Sequence, residues 1–300
     1  MKKKLQVFIP TYNRPNLILK SLNSVLNQTY SDFEVIVSDN SSNELTENLF
    51  KKITNERVLY RKRNKVLSGI EHLNAILDEV ESEYFIIFHD DDVMHPQMIN
   101  ELLKNLSENE SIIAIGCNAL VSNHNKWRKA KFGNFKKDII IKSPFELLEG
   151  YVSLNKYVPF PSYMYKKIVS ENLRLNIENG GKYSDLAFLI EILDYGKIAF
   201  LSKTLMTYFI HNNQDTSLHN FSDKSKLIEF LQIKIGLSKN DLLIKKMRSQ
   251  NIYMDLKYKY NNRLLNRRYK KRNELILKYL NFIPFAKIYF FFLQSKIKFL

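Results

Sequence analysis

The sequence predicts an α/β protein: a mostly parallel sheet flanked by helices, with a helical extension at the C-terminus. Three observations carry this. Continuous apolar runs alternate with helical periodicities as far as Gly116, polar clusters follow several of the apolar runs, and the pattern turns wholly helical from Asp223 onward.

Each element follows from its own residues. Leu5 to Pro10 reads as a buried strand ended by a proline, and Leu17, Ile18, Leu22, Val25 and Leu26 then repeat at helical spacing. Phe33 to Ser38 is a second strand, followed by the turn-forming Asp39-Asn40-Ser41-Ser42 and a helix near Glu44 to Lys52. Val58 to Tyr60, a helix over Gly69 to Val80, the apolar strand Tyr84 to Phe88, a helix from Pro96 to Leu106 and the strand Ile112 to Gly116 continue the alternation. Asn123 to Asp138 is polar and basic and reads as a loop. Pro144 to Gly150 begins a helix, Pro159 to Pro161 is extended, Ser184 to Asp194 is amphipathic, and Lys197 to Ile210 is one or two strands.

Parallel sheets bind ligands beyond the carboxyl ends of their strands. Thr11-Tyr12-Asn13-Arg14, Asp39-Asn40 and His89-Asp90-Asp91-Asp92 all fall at such ends, so three loops meet at one sheet edge. The adjacent carboxylates of Asp90, Asp91 and Asp92 repel one another, and a hard divalent cation, Mn²⁺ or Mg²⁺, relieves that repulsion. A bare acidic tract also reads as a solvated turn. Its position after a buried strand favours a site.

Composition narrows the field. The chain has 300 residues, 45% of them hydrophobic, which excludes a disordered chain. The single Cys117 forms no internal disulfide and suggests a reducing, intracellular setting. Neither GxGxxG nor GxxxxGK[ST] occurs, so a bound nucleotide needs another cradle. The apolar run after Met1-Lys2-Lys3-Lys4 is cut by Pro10, Asn13 and Arg14, so no secretory leader is expected.

The net charge of +15 is concentrated. Residues 239–300 hold 16 Lys/Arg and 3 Asp/Glu, leaving 30 basic against 28 acidic residues for the rest. Lys257 to Arg272 interleaves cations with tyrosines, and Ile276 to Leu300 is rich in Phe, Ile, Leu and Tyr. That describes an interfacial segment on an anionic membrane; a dimerising or core-packing helical tail is the competing reading. A nucleic-acid-binding protein using this tail is the alternative from another class. The near-neutral remainder argues against it, and no nucleic-acid partner is expected.

Val7 to Arg14, Leu26-Asn-Gln-Thr-Tyr30 and Phe33 to Ser41 resemble the opening of family 2 glycosyltransferases with the GT-A fold. Asn64, Gly69, Asn74 and the stretch Tyr84 to Pro96 continue the resemblance. Gly180 to Asp185 with Leu189 and Gly196, then Tyr208 to His211 with Ser217, resemble the family's later segments. The resemblance implies a metal-dependent, inverting transfer of sugar from a nucleotide-sugar, expected to be a UDP-sugar, to a hydroxyl of a glycan or lipid-linked glycan.

The resemblance also implies roles. Pro10, Thr11 and Tyr12 line the nucleotide pocket with Asn13 and Arg14, Tyr12 stacks on the base, and Asp39 accepts from a uracil imide. Arg63 and Asn64 are further nucleotide candidates; a charge run such as Arg61-Lys62-Arg63 is also commonly a solvated face. Aligned on Pro96, His89 stands at the first DxD position, so the chain departs from a strict DxD. Asp90 then faces the ribose, Asp91 and Asp92 serve the metal with His211, and Asp185 is the general base. A scaffold that kept the fold and lost activity is the third reading, opposed by the joint presence of Asp91, Asp185 and His211.

The expected catalytic domain spans residues 1–220, with nucleotide binding assigned to residues 1–118 and acceptor binding to residues 119–220. Residues 221–300 form the basic helical region. The expected location is cytoplasmic, peripheral on the inner face of the plasma membrane, with the C-terminal helices also offering a surface for a homo-oligomer.

Overall fold

The computed structural model describes residues 3–123, 126–210 and 220–265. The chain divides into a compact unit, Met1–Ile252, and a second, Tyr253–Leu300. The first unit opens with β1 (Leu5–Thr11), α1 (Pro15–Leu26), β2 (Phe33–Asp39), α2 (Leu45–Phe50), β3 (Val58–Lys62), α3 (Gly69–Asp78) and β4 (Tyr84–Ile87). There follow β5 (Val93–Met94), α4 (Met98–Ser107), β6 (Ile112–Asn123), β7 (Lys126–Lys131), β8 (Ile139–Ile141) and α5 (Pro144–Glu149). β9 (Met164–Lys166), α6 (Lys167–Asn172), α7 (Ser184–Ile192), β10 (Lys197–Ile210) and α8 (Phe221–Ile235) complete the series, and α9 (Leu242–Leu265) closes the described chain.

Among the described residues one sheet runs in the order β3-β2-β1-β4-β9-β6-β10-β5, with β7 on β6 and β8 on β10. The first four strands are parallel, and β10 pairs parallel with β6. β9 enters antiparallel between β4 and β6, so the sheet is mixed in its second half.

Alternation along the strands sends side chains to two cores. Leu5, Val7, Ile9, Val35, Val37, Ile86 and Phe88 pack with Ile18, Leu22 and Val25 of α1 and Ile99, Leu102 and Leu106 of α4. Phe8, Ile36, Phe85 and Ile87 face the other way, against Ile76 and Leu77 of α3 and Phe188 and Ile192 of α7. Complete burial of each such aliphatic side chain contributes about 1.5–3 kcal/mol. Both faces are therefore covered, as a sheet of continuous apolar strands requires.

Leu227, Ile228 and Leu231 of α8 and Leu243, Ile244 and Met247 of α9 belong to the second core. The helical region that begins near residue 221 thus starts inside the compact unit, whose limit is Ile252. Asn220 caps α8, its side chain accepting from the Asp223 amide at 3.1 Å, and Gly236 ends it in the left-handed conformation at φ 74°.

Two local expectations need correction. The stretch Asn123 to Asp138 contains β7, paired antiparallel with a β6 that continues to Asn123. Its basic, polar sequence is that of an edge strand, since β7 pairs with β6 alone among the described residues. Phe160–Ser162 forms a tight 3₁₀ turn after Pro159 where an extended segment is expected. Of the one or two strands expected over Lys197 to Ile210, the structure has one.

Candidate active site at the strand ends

β1 and β2 finish side by side, with Thr11 opposite Asp39. Asp39 is fully buried. Its Oδ1 accepts from the Ser41 amide at 2.9 Å and its Oδ2 from the Tyr60 hydroxyl at 2.5 Å. Burial, reinforced by the Asp39 charge, pushes the Tyr60 phenol well above its usual value, so it stays a donor. Each carboxylate oxygen has a second lone pair, which leaves Asp39 able to accept from an imide N–H.

Beneath it, Ser38 Oγ contacts His72 Nε2 at 2.6 Å and accepts from Arg63 Nε and Nη2 at 3.0 and 2.7 Å. Burial lowers His72 to about 4, so the imidazole is neutral at physiological pH. Arg63 also pairs with Glu79 through Nη1. The guanidinium of this nucleotide candidate thus goes to Ser38 and Glu79, while its amide donates to the Asp39 carbonyl at 2.8 Å.

The β1 loop closes on the β2 loop through Asn13. This residue adopts φ 53°, a left-handed conformation that asparagine tolerates. Its amide donates to Ser41 Oγ at 2.8 Å, and its Oδ1 accepts from the Ser42 amide at 3.1 Å and from Asn43 Nδ2 at 2.9 Å. Asn13 builds the loop that presents Tyr12, which is 47% exposed beside the half-buried Pro10. Asn64 is exposed in the segment after β3.

The acidic turn follows β4. Thr11 Oγ1 donates to Asp90 Oδ2 at 2.7 Å, and Arg14 Nη1 lies 3.1 Å from Asp90 Oδ1 and 3.3 Å from Asp91 Oδ2. The chain thus neutralises some of its own acidic cluster with an arginine from the first loop. Burial raises the Asp90 carboxyl, while the Thr11 bond and the Arg14 charge oppose the rise.

Asp92 is fully buried at the end of β10, where its Oδ1 accepts from the Phe209 amide at 2.9 Å. Its Oδ2 is buried with no hydrogen-bond partner. Burial, with Asp91 beside it, pushes the carboxyl up to about 8. One ligand atom each from His89, Asp91 and Asp92 lie within 4.8 Å of one another. Two carboxylates and an imidazole suit Mn²⁺ or Mg²⁺ chemistry, and an orphaned buried oxygen is what a bound cation would satisfy. The residues present therefore fit a divalent metal.

Asp185 stands in the first turn of α7, where its Oδ1 accepts from the Leu186 amide at 2.8 Å. Water reaches the carboxylate, yet it is closely surrounded by protein, and that surrounding raises its carboxyl above the usual range. The Leu186 bond and the charges of Lys224 and His89 oppose the rise. The field of His89 ties Asp185 electrostatically to the acidic turn.

The sheet edge thus gathers Pro10, Thr11, Tyr12, Asn13, Arg14, Asp39 and the three aspartates. His211 lies outside the described residues. Three contributors carried no signal as such: His89 as a member of the metal group, Tyr60 as the donor to Asp39, and Lys224 beside Asp185. His89 was legible only as the residue displacing an aspartate from the DxD pattern. Tyr60 and Lys224 are brought in by strand pairing and helix packing.

A family model described as glycosyl transferase family 2 matches residues 6–165. The chain is 30% identical over 232 residues to the poly(ribitol-phosphate) beta-N-acetylglucosaminyltransferase TarP of Staphylococcus aureus, covering 74% of this chain and 67% of that protein. It is 26% identical over 221 residues to the GalNAc(5)-diNAcBac-PP-undecaprenol beta-1,3-glucosyltransferase of Campylobacter jejuni, covering 72% and 67%. In fold it resembles S. aureus TarS 1–349 in complex with UDP-GlcNAc, with a TM-score of 0.61 at 15% identity, over 85% of this chain and 73% of that one. The mannosyltransferase PcManGT of Pyrobaculum calidifontis, in complex with GDP-Man and Mn²⁺, superimposes with a TM-score of 0.54 at 16% identity over 87% and 72%. With the GT-A fold in place and the family pattern running through the sheet edge just described, the chain belongs to glycosyl transferase family 2 and is a glycosyltransferase.

Proposed function

We propose that the enzyme transfers a sugar from a UDP-sugar to a hydroxyl of a glycan or lipid-linked glycan, inverting the anomeric carbon in one metal-dependent displacement. The observation that carries this is the meeting at one sheet edge of a buried carboxylate acceptor (Asp39) and the His89-Asp91-Asp92 group, with Asp185 at the start of α7 within the electrostatic influence of His89.

Tyr12 offers its ring to the base, and Asp39 accepts from the uracil imide while Tyr60 and Ser41 hold the carboxylate still. Asp90, fixed by Thr11 and Arg14, faces the ribose. His89, Asp91 and Asp92 would hold the divalent metal, with His211 as a further candidate. A bound Mn²⁺ or Mg²⁺ supplies positive charge where the diphosphate leaving group becomes more negative. Arg14 adds a fixed cation at the same place. Asp185 takes the proton of the acceptor hydroxyl as its oxygen attacks the anomeric carbon from the face opposite the leaving diphosphate. That single in-line step inverts the configuration and needs no covalent nucleophile.

UDP is supported by the relatives: TarP is named for N-acetylglucosaminyl transfer, and TarS was solved with UDP and with UDP-GlcNAc. A lipid-linked acceptor is supported by the Campylobacter relative, whose name ends its acceptor in PP-undecaprenol. Such an acceptor suits a peripheral position on the cytoplasmic face of a membrane, held by the basic, aromatic-rich tail. No described helix is long and apolar enough to cross a membrane. Residues 266–300 of that tail lie outside the described residues. The C-terminal region also offers a surface for self-association, which sedimentation of the full chain measures. Residues 1–220 then act as the catalytic domain, with acceptor contacts drawn from 119–220.

The test is a donor screen measuring UDP release with and without Mn²⁺, joined to flotation of the full chain on anionic vesicles. Metal-stimulated release from one UDP-sugar, with the product anomer opposite to that of the donor, is the expected result. Equal release after chelation, or retention of configuration, overturns the mechanism.

A further inference from the structure

Lys224 lies in the first turn of α8, and that turn is fastened to the segment leading into Asp185. Asp223 Oδ2 accepts from the Lys182 amide at 3.3 Å. Gly181, at φ 55°, lies so close that a Cβ there would stand 2.1 Å from the Asp223 side chain. This contact fixes where the next residue of α8 points. The Lys224 ammonium lies 4.8 Å from the centre of the Tyr183 ring and 5.1 Å from that of Tyr151. Two aromatic faces on one cation form a cradle for a charge removed from bulk water.

We propose that Lys224 is a positioning residue of the transfer reaction, a fixed cation that acts through Asp185 and keeps its carboxylate ionised as the base. The inference rests on the reading of Asp185 as that base. Tyr183 precedes Asp185 by two positions, so the ring that carries the lysine belongs to the segment leading into the carboxylate. No direct ion pair joins Lys224 to Asp185 among the described residues, and the lysine does not block the carboxylate from an acceptor hydroxyl. Burial lowers the lysine's affinity for its proton while the Asp185 charge raises it, and the carboxylate is influenced reciprocally.

The described titratable groups around Asp185 are His89, Tyr151, Tyr163, Tyr165, Tyr183 and Lys224. Burial raises the four phenols, which are neutral near pH 7. Lys224 and His89 are then the cationic influences on the carboxylate. A base whose surroundings disfavour its charged form needs such a neighbour. The helical region after β10 thereby enters the catalytic apparatus.

The test follows the side-chain carboxyl ¹³C resonance that disappears in Asp185→Asn, titrated in the full chain without donor. In Lys224→Met its midpoint rises by about one pH unit or more, and in Lys224→Arg it returns towards the wild-type value. Linkage gives a second arm, useful if the methionine variant folds poorly. In Asp185→Asn, the ε-carbon resonance of Lys224 titrates at lower pH than in the wild type. An unmoved midpoint in either experiment overturns the proposal. Loss of the base reading is separately visible, as turnover that survives in Asp185→Asn.

Discussion

The Tyr60 hydroxyl donates to Asp39 Oδ2 at 2.5 Å, across the parallel pairing of β3 with β2. The phenol also stacks on Phe50, with ring centres 5.1 Å apart, so the donor is held by packing as well as by the bond. Tyr60→Phe keeps the stacking and deletes the donor. Stability is expected to fall by about 1–2 kcal/mol, because a fully buried carboxylate loses one partner. The KM for the UDP-sugar rises severalfold, and kcat changes little. Thermal unfolding and steady-state kinetics on this variant check both.

Asp92 carries the clearest pH signature. Its folded value of about 8 lies above the ordinary carboxylate value of 3.8. Between those limits the folded state holds a proton that the unfolded state has released, so this group's contribution to stability is lost as pH rises towards about 8. A divalent cation competes with the same proton. The rise in Tm produced by Mn²⁺ should therefore be larger at pH 8 than at pH 6, as calorimetry at the two values would show.

Removing the orphaned oxygen tests the metal group without turnover. Asp92→Asn keeps an oxygen for the Phe209 amide and removes the ionisable carboxylate. Mn²⁺ should then raise Tm by much less than in the wild type, and the effect of Asp91→Asn should be similar. A full metal-induced rise in both variants would place the cation elsewhere.

Gly181 adopts φ 55°, and a Cβ there would stand 2.1 Å from the Asp223 carboxyl carbon. Gly181→Ala therefore strains a left-handed backbone and displaces the Asp223 carboxylate that accepts from the Lys182 amide, loosening the segment that leads into Asp185. The expected cost is about 1–3 kcal/mol with a marked fall in kcat. Gly69→Ala, where the added methyl meets nothing within 4 Å, is the contrasting control.

Much of this architecture was legible because parallel strands buried on both faces need unbroken apolar sequence, and Leu5–Pro10, Phe33–Ser38 and Tyr84–Phe88 supply it. The polar residues that follow such strands lie at one edge by topology alone. Thr11, Asp39 and Asp90 could therefore be grouped before any coordinates. β7 was hidden because an edge strand can be as basic as a loop. The insertion of β9 between β4 and β6 leaves no local trace, since strand order is decided by long-range packing. Arg63 shows the limit for side chains: its position after β3 is visible in sequence, but its commitment to Ser38 and Glu79 depends on α3 lying alongside. Lys224 was one lysine among many until α8 laid it on Tyr183 and Tyr151.

The role of Asp185 as the base is tested most directly by comparing Asp185→Asn with the wild type in both sugar transfer and UDP binding. Asparagine preserves the oxygen facing the Leu186 amide and removes the base. Turnover is expected to fall by about 10²–10⁴-fold while the stabilisation by UDP and Mn²⁺ is unchanged. Wild-type turnover in Asp185→Asn would contradict that role.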